Sequence, residues 1–233
     1  MKTIFLFLFL SVLYTAQSQV VINVDNNRER LSYRSVFNGG FPIPNAKYVR
    51  LVSGSPYFSD TWMKSEVLVN DTSIYEGPLV RLDIRDGTLV YLDDRGDELS
   101  SDQLFNAISL TDTISGKNYL FVHSSYITGT SPKEMTWYEL LTGENISLFK
   151  HYYKRVLETK PFASSVTEQT IETEIRYFIA ANNTFTRIKT TEDIARLVTT
   201  NKKALQDHIE KNKLKGNSES ELIAVVKYYD SLE

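Results

Sequence analysis

Val80-Arg-Leu-Asp-Ile-Arg85 alternates apolar and charged residues and runs into Asp86-Gly87, after which Thr88-Leu-Val-Tyr-Leu92 turns back. A period of two gives a strand with one dry face and one wet face. Asp-Gly tolerates the positive φ angles of a tight hairpin. The same punctuation recurs along the chain. Glu66-Val-Leu-Val69 reaches the turn residues Asn70-Asp-Thr-Ser73, and Tyr119-Leu-Phe-Val122 is a short apolar run. Trp137-Tyr-Glu-Leu-Leu141 and Ile146-Ser-Leu-Phe149 flank Thr142-Gly-Glu-Asn145, while Tyr177-Phe-Ile179 and Phe185-Thr-Arg-Ile188 flank Asn182-Asn183. Successive hairpins of this kind build an antiparallel meander. No strand–helix–strand alternation calls for a parallel nucleotide-binding sheet. Residues 46–189 are therefore expected to form a β-rich domain, barrel- or sandwich-like. The 14 Tyr and 12 Phe suit half-buried strands. Thr159-Lys-Pro-Phe-Ala-Ser-Ser-Val166 reads as a linker.

The period changes at Thr190. Thr190-Thr-Glu-Asp193 has capping-box spacing, and Ile194, Leu197 and Val198 then share a helical face. Lys202 to Leu214 reads as a second helix, with Leu205, His208, Ile209 and Asn212 on one side and Gly216 as its stop. Ser218-Glu-Ser-Glu221 is a second capping box. It opens a helix whose stripe is Leu222, Val225, Val226, Tyr229 and Leu232. Residues 190–233 are thus a helical segment of about three helices, and the chain as a whole is expected to be α+β.

The N-terminus has a different character. Lys2 precedes an apolar run from Ile4 to Leu13, and Ala16-Gln17-Ser18 supplies small residues at the two positions a signal peptidase reads. Residues 1–18 are expected to be a secretory signal, cleaved between Ser18 and Gln19. The run is too short to span a bilayer, and no later stretch reaches spanning length. Residues 19–45 are polar, then Gly- and Pro-rich, and are expected to be irregular.

Composition removes several chemistries. The chain has no cysteine, which excludes thiol catalysis, zinc–thiolate sites and iron–sulfur clusters. The net charge of −3 comes from interspersed acids and bases, and export argues further against nucleic acid. The three histidines, His123, His151 and His208, show no metal-ligand spacing. His123-Ser124 looks like a base beside a nucleophile, but strand neighbours point to opposite faces. No catalytic residue, metal site or cofactor is therefore assigned. Asp83 and Asp86 are the nearest approach to a carboxylate pair of the kind an acid-pair hydrolase needs. Asp93-Asp-Arg-Gly-Asp-Glu98 contains an adhesion tripeptide and four acids. Its acids are adjacent rather than alternate, which fits a turn and not a calcium loop.

These patterns favour an exported, non-enzymatic interaction module of the periplasm or cell surface, with an envelope protein or a glycan as partner. The stripe Leu222, Val225, Val226 and Tyr229 is the candidate partner surface. The alternative is a carbohydrate-binding protein that stacks sugars on Trp62, Trp137 and Tyr138. The acid-pair hydrolase is a second alternative.

Gly54-Ser-Pro-Tyr57, Trp62, the hairpins, and the ending Asn201-Lys-Lys, His208-Ile-Glu-Lys-Asn-Lys-Leu214, Glu221-Leu-Ile223 and Tyr228-Tyr-Asp-Ser-Leu232 together resemble a family of uncharacterised exported proteins from Bacteroidetes. The resemblance covers most of residues 50–233 and departs at Thr199-Thr200. It implies a periplasmic or surface location and a β-domain with a helical tail. It implies no activity and no catalytic residue.

Overall fold

The computed structural model describes residues 30–32, 37, 40–43, 48–69, 74–101, 103–130, 135–162, 165–214 and 216–232. The expected signal segment, its cleavage between Ser18 and Gln19, and the turn at Asn70 lie outside them. Among the described residues thirteen strands form one sheet. They are β1 (Arg30–Ser32), β2 (Gly40–Pro42), β3 (Leu51–Ser53), β4 (Met63–Leu68), β5 (Ile74–Asp83), β6 (Thr88–Leu92), β7 (Glu98–Ser101), β8 (Ala107–Asp112), β9 (Asn118–His123), β10 (Trp137–Gly143), β11 (Ser147–Thr159), β12 (Glu168–Ala181) and β13 (Thr184–Ile188). Three helices follow: α1 (Thr191–Leu197), α2 (Lys202–Lys211) and α3 (Glu219–Asp230). The fold is α+β, as the patterning predicts.

Along the sheet the order is β13-β12-β11-β10-β9-β8-β4-β5-β6-β7-β2. The pairings are antiparallel except for β1 against β5 and β3 against β12. Two expectations need correction. The segment expected to be irregular supplies β1 and β2. The linker reading of Thr159–Val166 also fails, because β11 and β12 stay in register from Ser147↔Ala180 to Thr159↔Glu168. Among the described residues these two strands form the longest hairpin. Pro161, just past the end of β11, marks a turn rather than a boundary.

The sheet is open along its path but strongly curled. β3 pairs with β12 at Gln169 and Thr170. A few residues on, Tyr57 bridges Asp83, and the Phe58 N–H donates to the Leu82 carbonyl at 2.8 Å. The segment from Leu51 to Phe58 therefore runs from β12 to the end of β5 and draws the β11–β12 arm over the inner face. Phe58 makes edge-to-face contacts with Tyr119, Phe121 and Tyr152 at 4.8, 4.9 and 5.0 Å.

Two cores share that inner face. The first gathers Val67, Val80, Leu82, Ile108, Leu110, Phe121 and Trp137 beneath the curl. The second joins Leu148, Ile179 and Ile188 to the stripes of the three helices. A smaller core on the outer face holds Tyr138, Phe149 and Ile127. There Gly129, at φ +87°, lies so close to β13 that a Cβ would stand 2.8 Å from both the Asn183 carbonyl oxygen and the Phe185 nitrogen. This approach covers the outward edge of a strand that would otherwise offer unpaired main-chain groups.

The helix caps form as the spacing predicts. The Asp193 carboxylate accepts from the Lys189 and Thr190 N–H groups at 2.9 and 3.0 Å. Ser218 and Glu221 complete the capping box of α3. Asp230, at the far end of α3, accepts from the N–H groups of Glu144, Asn145 and Ile146 in the β10–β11 turn. The helices are thereby fastened to the sheet rather than tethered beside it.

Candidate functional site

A polar row crosses the inner face between the two cores. Glu139 on β10 stands opposite Phe121 on β9 and Lys150 on β11, and Lys150 stands opposite Tyr177 on β12. Residues directly opposite in antiparallel strands share a face. The Tyr152 hydroxyl donates to Glu139 Oε2 at 2.6 Å. Lys150 Nζ lies 2.7 Å from Oε2 of Glu219, the first residue of α3, and the Tyr177 hydroxyl donates to the same oxygen at 3.1 Å. Glu139 is only 7 % exposed. Burying a carboxylate disfavours its charged form, so its pKa is held above the ordinary carboxylate range. The Tyr152 hydroxyl bond and the Lys150 and Lys117 charges oppose that shift, while Glu219 adds to it. Burial, followed by the charge and hydrogen bond of Glu219, pushes the Tyr177 phenol up to about 12. The row can hold a proton at Glu139 and tie a helix to a sheet.

Glu139 and Glu219 do not form the acid pair of a hydrolase. One is bound by Tyr152, and the other is committed to Lys150 and Tyr177. Asp83 and Asp86 form a turn clasp, in which Asp83 Oδ1 accepts from the Asp86 N–H at 3.0 Å. Among the described residues no group of three or more His, Asp or Glu side chains gathers as metal ligands.

The histidine at the end of β9 has a partner that strand logic missed. Ser124 points away, its oxygen accepting from the Thr136 N–H at 3.2 Å. The strand stops at His123 and a 3-10 turn begins, which carries Ser125 back to Nδ1 at 2.7 Å. That nitrogen also accepts from the Ser125 N–H. Nε2, the other ring nitrogen, is buried without a hydrogen-bond partner, and the ring packs edge-to-face with Trp137 at 5.1 Å. His123 thus caps the turn, and among the described residues no carboxylate bonds to the imidazole.

Two of the three expected sugar platforms are not on the surface. Trp137 is 1 % exposed and its Nε1 donates to the Gly87 carbonyl at 2.9 Å. Tyr138 is 2 % exposed and packs against Phe149, Phe178 and Phe185. Both face cores because β10 is covered on each side. Trp62 is half-buried, and the Arg81 guanidinium sits 4.3 Å over its ring and 4.5 Å over that of Tyr57. Arg81 also pairs with Glu98 at 2.6 Å.

The expected partner stripe on α3 is likewise core. Leu222, Val225 and Val226 are fully buried and Tyr229 is 4 % exposed, because the stripe closes on β10, β11 and the other helices. Each such side chain stabilises the fold by about 1.5–3 kcal/mol relative to exposure. The acidic stretch at 93–98 is a hairpin tip. Its Asp93 carboxylate accepts from the Arg95 and Asp97 N–H groups at 2.8 Å each, bonds that hold its pKa below the ordinary value, the Asp97 N–H foremost.

Several exposed apolar side chains belong to the end of the β11–β12 arm and to the segment paired with it. Phe162 is fully exposed, and Val166, just before β12, is 38 % exposed. Val49 and Val52 are 75 % and 48 % exposed. The Val49 N–H donates to the Gln169 side chain at 3.0 Å, and β3, which carries Val52, pairs with β12 at that end.

No described helix is long and apolar enough to cross a membrane. Compared with known proteins, the chain matches no family model, no curated protein and no solved structure.

Proposed function

We propose that the protein is an exported, non-enzymatic interaction module of the periplasm or cell surface, and that its contact surface is the tip of the β11–β12 arm. The exposed set Phe162, Val166, Val49 and Val52 carries this reading. Exposed apolar side chains on neighbouring segments at one end of an arm suit a surface that a partner covers. The export part rests on the N-terminal sequence and on the resemblance to exported Bacteroidetes proteins. A photo-crosslinking residue placed at position 162 in native cells should yield one dominant adduct, lost when Val49 and Val166 are changed to Ser. Adducts from control positions on the helices with none from 162 would refute the assignment.

A second reading keeps carbohydrate as the ligand but narrows the platform to Trp62. An indole with the Arg81 guanidinium over one ring face, and the Glu98 carboxylate paired to that arginine, sets an aromatic ring next to hydrogen-bonding groups. Glycan-array binding abolished by Trp62→Ala, in protein whose near-ultraviolet spectrum is otherwise unchanged, supports it. Binding that survives the substitution ends it.

A further inference from the structure

In the polar row, two carboxyl groups face one ammonium. Lys150 stands directly opposite Glu139 in the strand register, yet its Nζ is committed to Glu219, 2.7 Å away. Glu219 opens α3, so this ion pair and the Tyr177 hydroxyl are the polar tie between the first turn of the helix and strands β11 and β12. The direct partner of Glu139 is the Tyr152 hydroxyl. The other titratable groups that face it are Lys150, Glu219, Tyr177 and, from the β8–β9 turn, Lys117; Tyr119 on β9 acts on the Tyr152 that binds it.

We propose that Glu139 is a proton-operated latch on the helical cap. With the Glu139 carboxyl neutral, Lys150 and Tyr177 hold Glu219 undivided. With Glu139 ionised, the carboxylate repels Glu219 and draws Lys150 back across the strand pair, and the first turn of α3 loosens from the sheet. The apolar stripe of α3 keeps the rest of the helix in place, so the latch acts on one turn and not on the fold. Burial raises the Glu139 pKa, whereas Glu221 in the same turn is held below its ordinary value by its bonds to Ser218. The capping box therefore stays ionised while Glu139 changes state.

The test is amide hydrogen exchange on the full chain from the ordinary carboxylate range, about pH 4, up to about pH 8, corrected for intrinsic rates and read at Leu222, whose N–H donates to the Ser218 carbonyl. Protection should fall roughly three- to tenfold as pH rises, the scale of one partly exposed ion pair with its hydrogen bond. Glu139→Gln keeps an acceptor for Tyr152 and should hold protection at the low-pH value throughout. Glu219→Gln should lower protection at both ends and remove the pH dependence. A parent protein with flat protection overturns the proposal. So does a Glu139→Gln variant that keeps the parent's pH dependence, which would place the switch at another group. Carbon-13 shifts of the Glu139 carboxyl supply an independent reading: a carboxyl that titrates at or below the ordinary carboxylate value also overturns it.

Discussion

Replacing Asp230 by Ala tests how the helical cap is held. The Asp230 carboxylate accepts from three main-chain N–H groups, at 3.1 Å from Glu144, 3.0 Å from Asn145 and 3.4 Å from Ile146. Hydrogen bonds to a charged group contribute about 1.5–3 kcal/mol each when made inside the protein. Glu144 is exposed, so water replaces that bond at little cost. The Ile146 bond is long and weak, but its residue is buried and its N–H would be stranded. The Asn145 bond is the shortest of the three. A carboxylate at a helix C-terminus also opposes the helix dipole by about 0.3–1 kcal/mol, and its removal returns that amount. The net loss is about 2–3 kcal/mol, which lowers Tm by roughly 4–12 °C in a domain of this size. Urea unfolding followed by tryptophan fluorescence measures it, with an unchanged m value required. Asp230→Asn should cost less, since the amide oxygen still serves one or two donors. A loss below about 0.5 kcal/mol for Asp230→Ala would show that the turn and helix are held by apolar packing alone.

Other outcomes follow from the same geometry. Glu139→Gln should stabilise the protein at neutral pH: a carboxyl whose folded pKa is raised contributes stability below its unfolded value, near 4.3, and loses it as pH rises through the folded value. Urea midpoints from pH 4 to 8 should therefore decline more steeply for the parent than for the variant. Gly129→Ala should destabilise by about 2 kcal/mol or more, because it strains a positive φ and drives a Cβ into β13; thermal unfolding reads this directly. The Glu174 carboxyl should titrate at about 2 in an NMR series, held down by the Arg176 and Arg187 guanidinium groups, and Arg176→Gln should raise it.

The strands and helices were legible because their periods differ and their turns carry chemistry. Asn182-Asn183 adopts the two positive φ angles, 49° and 59°, that a two-residue hairpin demands. Both capping boxes could be read from four residues each. The polar row was not legible, although Glu139 is an acid inside an apolar strand. A hairpin centred on Thr142-Gly-Glu-Asn145 would set Glu139 opposite Leu148. The turn closes on Gly143↔Ser147 instead, which alone would set Glu139 opposite His151, and a bulge between Leu140 and Thr142 moves it one place, to Lys150. Glu219 arrives from a helix far along the chain, which no local pattern reports. The aromatic residues misled because Trp137 and Tyr138 lie on a strand covered on both faces. Alternation cannot separate such a strand from one with a wet side. The amphipathic stripe of α3 was visible, but a stripe does not say what covers it.

The parallel clasp of β3 on β12 joins distant parts of the chain. The Val49–Gln169 and Ser53–Thr170 bonds close separations of 120 and 117 residues. The second core, by contrast, draws on described residues from Leu141 to Tyr229. Contacts between near neighbours in sequence form early, whereas long loops close only once enough interactions reward the lost entropy. The hairpin β10–β11, the strands β12 and β13 and the three helices are thus expected to assemble first. The N-terminal strap from Leu51 to Phe58 then fastens last, bringing Phe58 against a first core that is still soft until it arrives. Refolding should show the helical signal rising ahead of the tertiary signal of the curled sheet.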